Sequence, residues 1–143
     1  MNHLNLGFIG VGLMGLSLIK RLSKLGYKID AYDKNLKKLE PLKKISNVRL
    51  NQKASEVSQN NDIIILCVDK TESVKEVVFG KDGLVNNTNN NTIILDLSTT
   101  LADETINFAN QINKKTGASW IDAPVSGGPD SIRGEFSNYG RWS

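Results

Sequence analysis

The chain has 143 residues and a mass of 15.7 kDa, enough for one domain and too little for two ordinary ones. Hydrophobic residues make up 39% beside 12 glycines, a soluble globular composition, and the 18 basic and 15 acidic residues are interspersed to a net +3, which argues against nucleic acid as a partner. One cysteine excludes an internal disulfide and makes a cysteine-based metal site a poor expectation, while the absence of a membrane span or secretory signal points to the cytoplasm and no membrane partner.

The first predicted element is a strand at Leu4–Ile9, followed by a glycine-rich turn. Leu13, Leu16, Leu18, Ile19, Leu22 and Leu25 then form an apolar stripe at helical spacing, with Lys20, Arg21 and Lys24 turned outward and Gly26 as the stop. A second strand is expected at Ile29–Tyr32, and a short helix over Leu36–Glu40 that Pro41 breaks. The run from Asp62 to Val68 is apolar on both faces through Ile63–Val68, as a strand covered by helices on both sides must be. Thr71 is placed to cap a helix to Phe79 on Val74, Val77 and Val78. Beyond the polar loop Asn86–Asn91 come a strand at Thr92–Asp96 and a helix over about Leu101–Lys114 on Ile106, Ala109 and Ile112, ending before Gly117. The last predicted strand is Ser119–Asp122. No internal repeat is present, and this alternation predicts an α/β doubly wound, mainly parallel sheet.

The turn after the first strand reads Gly10-Val11-Gly12-Leu13-Met14-Gly15, a G-x-G-x-x-G that leaves a strand and opens a helix. Gly10 permits a tight turn, Gly12 carries no Cβ to obstruct a diphosphate, and Gly15 lets helix and strand approach. Backbone N–H groups and the helix dipole then favour an anion. Alone, such glycines can be mere turn formers. Asp33 adds a second signal: it ends the second strand, 18 residues after Gly15, where a Rossmann-type fold places an acid on the adenosine ribose. At about 4 Å, carboxylate and 2′-phosphate repel by on the order of 1–4 kcal/mol, which favours NAD. Lys34 follows and has the opposite tendency, since its ammonium suits a 2′-phosphate, so NAD or NADP remains the cofactor reading. Asp33 as a simple strand-end turn former is the bland alternative.

Polar, loop-forming residues collect after the other strand ends as well: Val68-Asp69-Lys70-Thr71, Leu97-Ser98-Thr99-Thr100 and Pro124-Val125-Ser126-Gly127-Gly128. Together with the glycine turn and Asp33-Lys34-Asn35 they are expected to line one cleft. Ser98 and Thr99 can hydrogen-bond a ribose or nicotinamide, or Thr99 or Thr100 can cap the next helix. Ser126-Gly127-Gly128 offers a hydroxyl and open amides to a substrate carboxylate. Cys67 reads as a small core residue in a strand, His3 as a surface residue near the terminus, and Trp120 as a packing residue. Trp142 is compatible with an exposed tail or with cover for a sheet edge.

Gly7-Phe8-Ile9-Gly10-Val11-Gly12-Leu13-Met14-Gly15, Leu95-Asp96-Leu97-Ser98-Thr99 and Asp122-Ala123-Pro124-Val125-Ser126-Gly127-Gly128 together resemble the β-hydroxyacid dehydrogenase family, the 3-hydroxyisobutyrate dehydrogenases and tartronate semialdehyde reductases, which share a cofactor domain with 6-phosphogluconate dehydrogenase. The resemblance runs to about Gly134. It implies NAD(P)-dependent oxidation of a small 3-hydroxy acid, or reduction of its semialdehyde. It also implies that Gly10, Val11, Gly12, Leu13, Met14 and Gly15 hold the diphosphate and Asp33 the ribose; Lys34, next to Asp33, is a cofactor-binding candidate on its charge. Val68, Asp69 and Ser73 would line the cofactor, Thr99 would lie near the nicotinamide ribose, and Ser126, Gly127 and Gly128 would bind substrate.

Two departures accompany it. Asp69 stands where the family usually has proline. The family's catalytic lysine and its closing helical domain, which also forms the oligomer, have no counterpart in residues 1–143, and the 135–143 stretch does not resemble the family's continuation. Lys115, the last lysine, precedes the substrate motif and is expected to face solvent. Residues 1–134 are thus expected to form a dinucleotide-binding domain, inactive alone because no residue inherits the acid/base role, which is typically worth 10²–10⁴-fold. A non-catalytic dinucleotide-binding module and a decayed gene fragment are the alternatives.

Overall fold

Six parallel strands, β1 (Asn5–Ile9), β2 (Lys28–Tyr32), β3 (Val48–Leu50), β4 (Ile63–Leu66), β5 (Ile93–Asp96) and β6 (Ser119–Asp122), hydrogen-bond in the order β3-β2-β1-β4-β5-β6. The structure, a computed structural model, describes residues 4–124. Among them the sheet is parallel throughout rather than mainly so: Leu6 lies between Ile29 of β2 and Ile63 of β4, and Leu66 pairs with Asp96. The chain order reverses between β1 and β4, so the loops leaving these two strands diverge and open a crevice at their carboxyl ends.

Helices α1 (Leu13–Lys24), α2 (Ala54–Asn60), α3 (Thr71–Phe79) and α4 (Ala102–Thr116) cover the sheet. Strand alternation divides the core in two. Ile9, Ile64, Leu66 and Ile94 pack with Val57 of α2, Val74 and Val78 of α3 and Phe108 and Ile112 of α4. Leu6, Phe8, Ala31 and Ile65 pack on the opposite face with Ile19 of α1 and with Leu39 and Leu42 of a 3-10 turn. Each fully buried aliphatic or aromatic side chain contributes about 1.5–3 kcal/mol. Phe108 bridges Phe79 and Trp120, with ring centroids 5.9 and 6.3 Å away, so Trp120 packs as expected.

Several local expectations need correction. Three elements escaped the sequence pattern, β3, α2 and a 3-10 turn over Leu84–Asn87 that takes in the start of the expected polar loop. The helix expected to break at Pro41 is a 3-10 turn over Leu36–Leu42 that contains Pro41. Thr71 does not cap α3. Lys70 holds the N-cap position without a side-chain bond, and the Thr71 hydroxyl instead accepts from the Leu101 N–H at 3.2 Å. Neither Thr99 nor Thr100 caps α4, whose N-cap is Leu101; Thr100 bonds the Thr105 hydroxyl. On α4 the buried positions are Thr105, Phe108 and Ile112, while Ile106 is 60% exposed. Leu13 and Leu25, both assigned to the apolar stripe of α1, are exposed. Cys67 lies just past the end of β4 and is half-buried rather than inside a strand. Gly26 and Gly117 end their helices with positive φ, as their stop role requires.

No described helix is long and apolar enough to cross a membrane. Lys115 is exposed, its ammonium 5.4 Å above the Phe79 ring. The expected roles of His3, Ser126, Gly127, Gly128 and Trp142, and the proposed boundary at residue 134, lie outside the described residues.

Candidate functional site

The turn from β1 into α1 is built by contacts that leave no room for side chains at two of its three glycines. Gly10 has φ +104°, and a Cβ there would lie 2.1 Å from the Cys67 carbonyl oxygen. A Cβ on Gly15 would lie 1.9 Å from the Gly10 carbonyl oxygen. Gly12 is different: nothing lies within 4 Å of the place a Cβ would take, and its backbone has ordinary extended angles at the N-cap of α1. That open space faces the uncapped N-terminus of a helix whose first turn holds no acidic residue. Its first N–H groups have no partner within the helix and point out of it.

Asp33 sits beside this turn. Its Oδ2 accepts from the Val11 N–H at 2.7 Å and its Oδ1 from the Asn35 N–H at 2.8 Å. The residue is only 9% exposed, yet it borders the cleft. The turn-forming reading of Asp33 therefore has a structural basis. The carboxylate shapes the turn after β2, and it ties that turn to the glycine loop while its two oxygens retain further acceptor capacity.

Above these two turns opens a cavity of about 960 Å³. It brings together four of the five strand-end segments expected to converge. Gly10, Gly12, Leu13, Met14 and Gly15 come from the first, Asp33 and Lys34 from the second, Val68, Asp69 and Ser73 from the third, and Thr99 from the fourth. Val11 is buried and reaches the site through its N–H to Asp33. The exposure of Leu13 follows from this placement, because it borders the cleft rather than the core. The fifth segment, with Ser126, Gly127 and Gly128, is outside the described residues.

Where Asp69 replaces proline, the chain still turns directly into α3, and the Ser73 hydroxyl donates to Asp69 Oδ1 at 2.9 Å. That bond holds the Asp69 carboxyl below the usual carboxylate range. Ser98 is buried, and its hydroxyl accepts from the Val68 N–H at 2.9 Å while its own N–H donates to Asp96 Oδ1. It joins the turns after β4 and β5 and also borders the cavity. Thr99 is the exposed member of that pair.

Sequence reasoning missed Tyr32, Lys38, Glu76, Val77, Lys81 and Asp82, which also line the cavity. Glu76 pairs with Lys34, Nζ to Oε2 at 2.9 Å, across 42 positions of sequence. This bond raises the Lys34 ammonium above the usual lysine value. Burial, followed by the charges of Asp33, Glu76 and Asp82, raises the Tyr32 phenol. Cys67 also borders the cleft, but burial, with help from Asp96, pushes its thiol up to about 11, which disfavours a nucleophilic thiolate. Asp96 is fully buried, its Oδ2 has no partner among the described residues, and burial raises its carboxyl above the ordinary range.

Comparison with known proteins agrees with this geometry. The chain is 34% identical over 130 residues to 2-hydroxy-3-oxopropionate reductase of Escherichia coli K12, covering 91% of this chain and 44% of that protein. It is 30% identical over 122 residues to the human cytokine-like nuclear factor N-PAC, covering 85% of this chain and 22% of that one. Among solved structures, the imine reductase from Myxococcus stipitatus in complex with NADP+ superposes with a TM-score of 0.80 at 20% identity, covering 89% of this chain and 43% of that one, a likeness of fold. The chain thus spans less than half the length of these relatives. Matched over residues 5–136, it belongs to the family described as the NAD binding domain of 6-phosphogluconate dehydrogenase.

Proposed function

We propose that residues 1–143 bind a nicotinamide dinucleotide, NAD(H) in preference to NADP(H), and supply the cofactor half of an oxidoreductase acting on a small 3-hydroxy acid or its semialdehyde. The observation that carries the reading is the pairing of an open Gly12 at an uncapped helix start with the Asp33 carboxylate tied to the same loop at 2.7 Å. A Cβ at Gly12 would intrude into the space a diphosphate needs, so the residues present fit the group.

In this reading the first-turn amides of α1 hold the diphosphate, and Asp33 accepts from the ribose hydroxyls with the lone pairs its backbone bonds leave free. Val68, Asp69, Ser73 and Thr99 border the remaining length of the cofactor. Ser126, Gly127 and Gly128 are assigned to the substrate carboxylate on their sequence. The bound nicotinamide supplies the hydride acceptor or donor. The alcohol proton needs an acid/base group, and the lysine that the family resemblance implies has no counterpart in residues 1–143, so binding without appreciable turnover is expected of this chain alone.

Calorimetric titration with NADH and NADPH tests the binding, and an assay with small 3-hydroxy acids tests the rest. Saturable NADH binding, tighter than NADPH, is expected with no measurable turnover. No heat at millimolar concentrations of either cofactor overturns the binding. Rapid turnover overturns the assignment of the acid/base group elsewhere.

A further inference from the structure

We propose that Glu76 is a specificity-determining residue of the dinucleotide site, which keeps Lys34 in an ion pair at the cleft wall and so withholds that ammonium from a 2′-phosphate. The proposal rests on the cofactor reading above. Lys34 immediately follows Asp33, the residue assigned to the adenosine ribose, and its Nζ lies 2.9 Å from Glu76 Oε2 on α3. Both residues line the same cavity. Sequence alone gives Lys34 the opposite tendency, that of a phosphate ligand. The structure shows its charge already matched.

Three features make the pair a selector rather than a fastener. The two side chains are 75% and 59% exposed, so the pair adds little to folding and is free to rearrange. Burial first, and then the charges of Asp33, Glu76 and Asp82, raise the neighbouring Tyr32 phenol, and all three carboxylates border the same cavity. The Asp33 carboxylate is fixed by backbone N–H groups, leaving Glu76 as the carboxylate that holds Lys34. A ribose with free hydroxyls asks nothing of this balance. A 2′-phosphate brings about two negative charges and gains a cationic partner here only by drawing Lys34 away from Glu76.

The test is Glu76→Gln, which keeps the shape of the side chain and removes its charge. NADH and NADPH are titrated calorimetrically into the wild type, Glu76→Gln, Lys34→Gln and the double variant, at low and at raised salt. The ratio of NADPH to NADH affinity is expected to rise about three- to ten-fold in Glu76→Gln. The gain is expected to shrink in salt and to disappear when Lys34 is also replaced. An unchanged ratio overturns the proposal, as does a gain that persists without Lys34. A wild type that binds neither cofactor overturns the cofactor reading with it, whereas NADH binding with an unmoved ratio overturns the role of Glu76 alone. Because the pair is exposed, the unfolding midpoint of Glu76→Gln is expected within about 2 °C of the wild type, so the titrations compare folded proteins.

Discussion

Replacing Asp33 by Asn separates the two tasks given to this carboxylate. The substitution keeps the volume, but the wild-type group accepts two backbone N–H bonds, from Val11 at 2.7 Å and from Asn35 at 2.8 Å. An amide has one acceptor oxygen, so one of those N–H groups must face an NH2 donor. A hydrogen bond to a charged group contributes about 1.5–3 kcal/mol net. Loss of one such bond is therefore expected to destabilise the fold by about 2 kcal/mol, or roughly 5–10 °C in the unfolding midpoint for a chain of this size. Cofactor binding should respond separately. Loss of a carboxylate that accepts from ribose hydroxyls costs about 1.5 kcal/mol, roughly ten-fold in NADH affinity. NADPH loses less, because removing the carboxylate also removes its repulsion of the 2′-phosphate. Urea or thermal unfolding gives the first quantity and calorimetry the second. Equal losses for NADH and NADPH would show that Asp33 acts only by tethering the glycine loop. An unchanged midpoint would refute the assigned hydrogen bonds.

Two further outcomes follow from the same geometry. Gly10→Ala places a Cβ 2.1 Å from the Cys67 carbonyl at a φ of +104°, and is expected to cost about 3 kcal/mol or more, measured by urea unfolding; a cost below about 1 kcal/mol would contradict the turn described. Asp96→Asn removes a buried carboxyl whose ionisation is resisted by burial, while its oxygen can still accept from Ser98. A raised folded-state value means that the wild-type carboxyl favours folding most below its unfolded value near 4 and loses that advantage as pH rises through its folded value. The variant should therefore gain stability relative to the wild type as pH increases from about 4 toward 8, and a difference independent of pH over that range would rule out a buried carboxyl with a raised value.

What the sequence made legible was the set of elements whose chemistry is local. The glycine turn, its following helix and the apolar runs of β1, β4 and β5 each announce themselves within a dozen residues. β3 does not, since Val48–Leu50 has three residues with Arg49 at its centre. That arginine is explained only by the partner strand: its guanidinium binds both oxygens of Asp30, which is in register with it on β2 and also accepts from Asn61. Helix α2 is equally obscure, because Ala54–Asn60 offers one large apolar residue, Val57. The Glu56 side chain reaches back to accept from the Gln52 N–H at 3.3 Å, but Lys53 at the N-cap has no acceptor to complete the usual start signal.

At the site, the spacing between Gly15 and Asp33 implied their proximity, and the Val11 bond makes it explicit. Leu13 was misassigned to the core because helical periodicity does not distinguish a face turned to a cleft from one turned to a sheet. The Lys34–Glu76 pair was invisible for a different reason: it joins two exposed charges across the topological switch, and no local pattern encodes such a contact.

The central claim is that a diphosphate occupies the space over Gly12. Gly12→Ala tests it without disturbing the turn, because no atom lies within 4 Å of the added methyl and the backbone angles suit alanine. Paired unfolding and NADH titration of this variant are expected to show a stability change within about 1 kcal/mol, the usual difference between Gly and Ala at an N-cap, together with at least a roughly ten-fold loss of NADH affinity. A folded variant that binds NADH as the wild type does would contradict the claim.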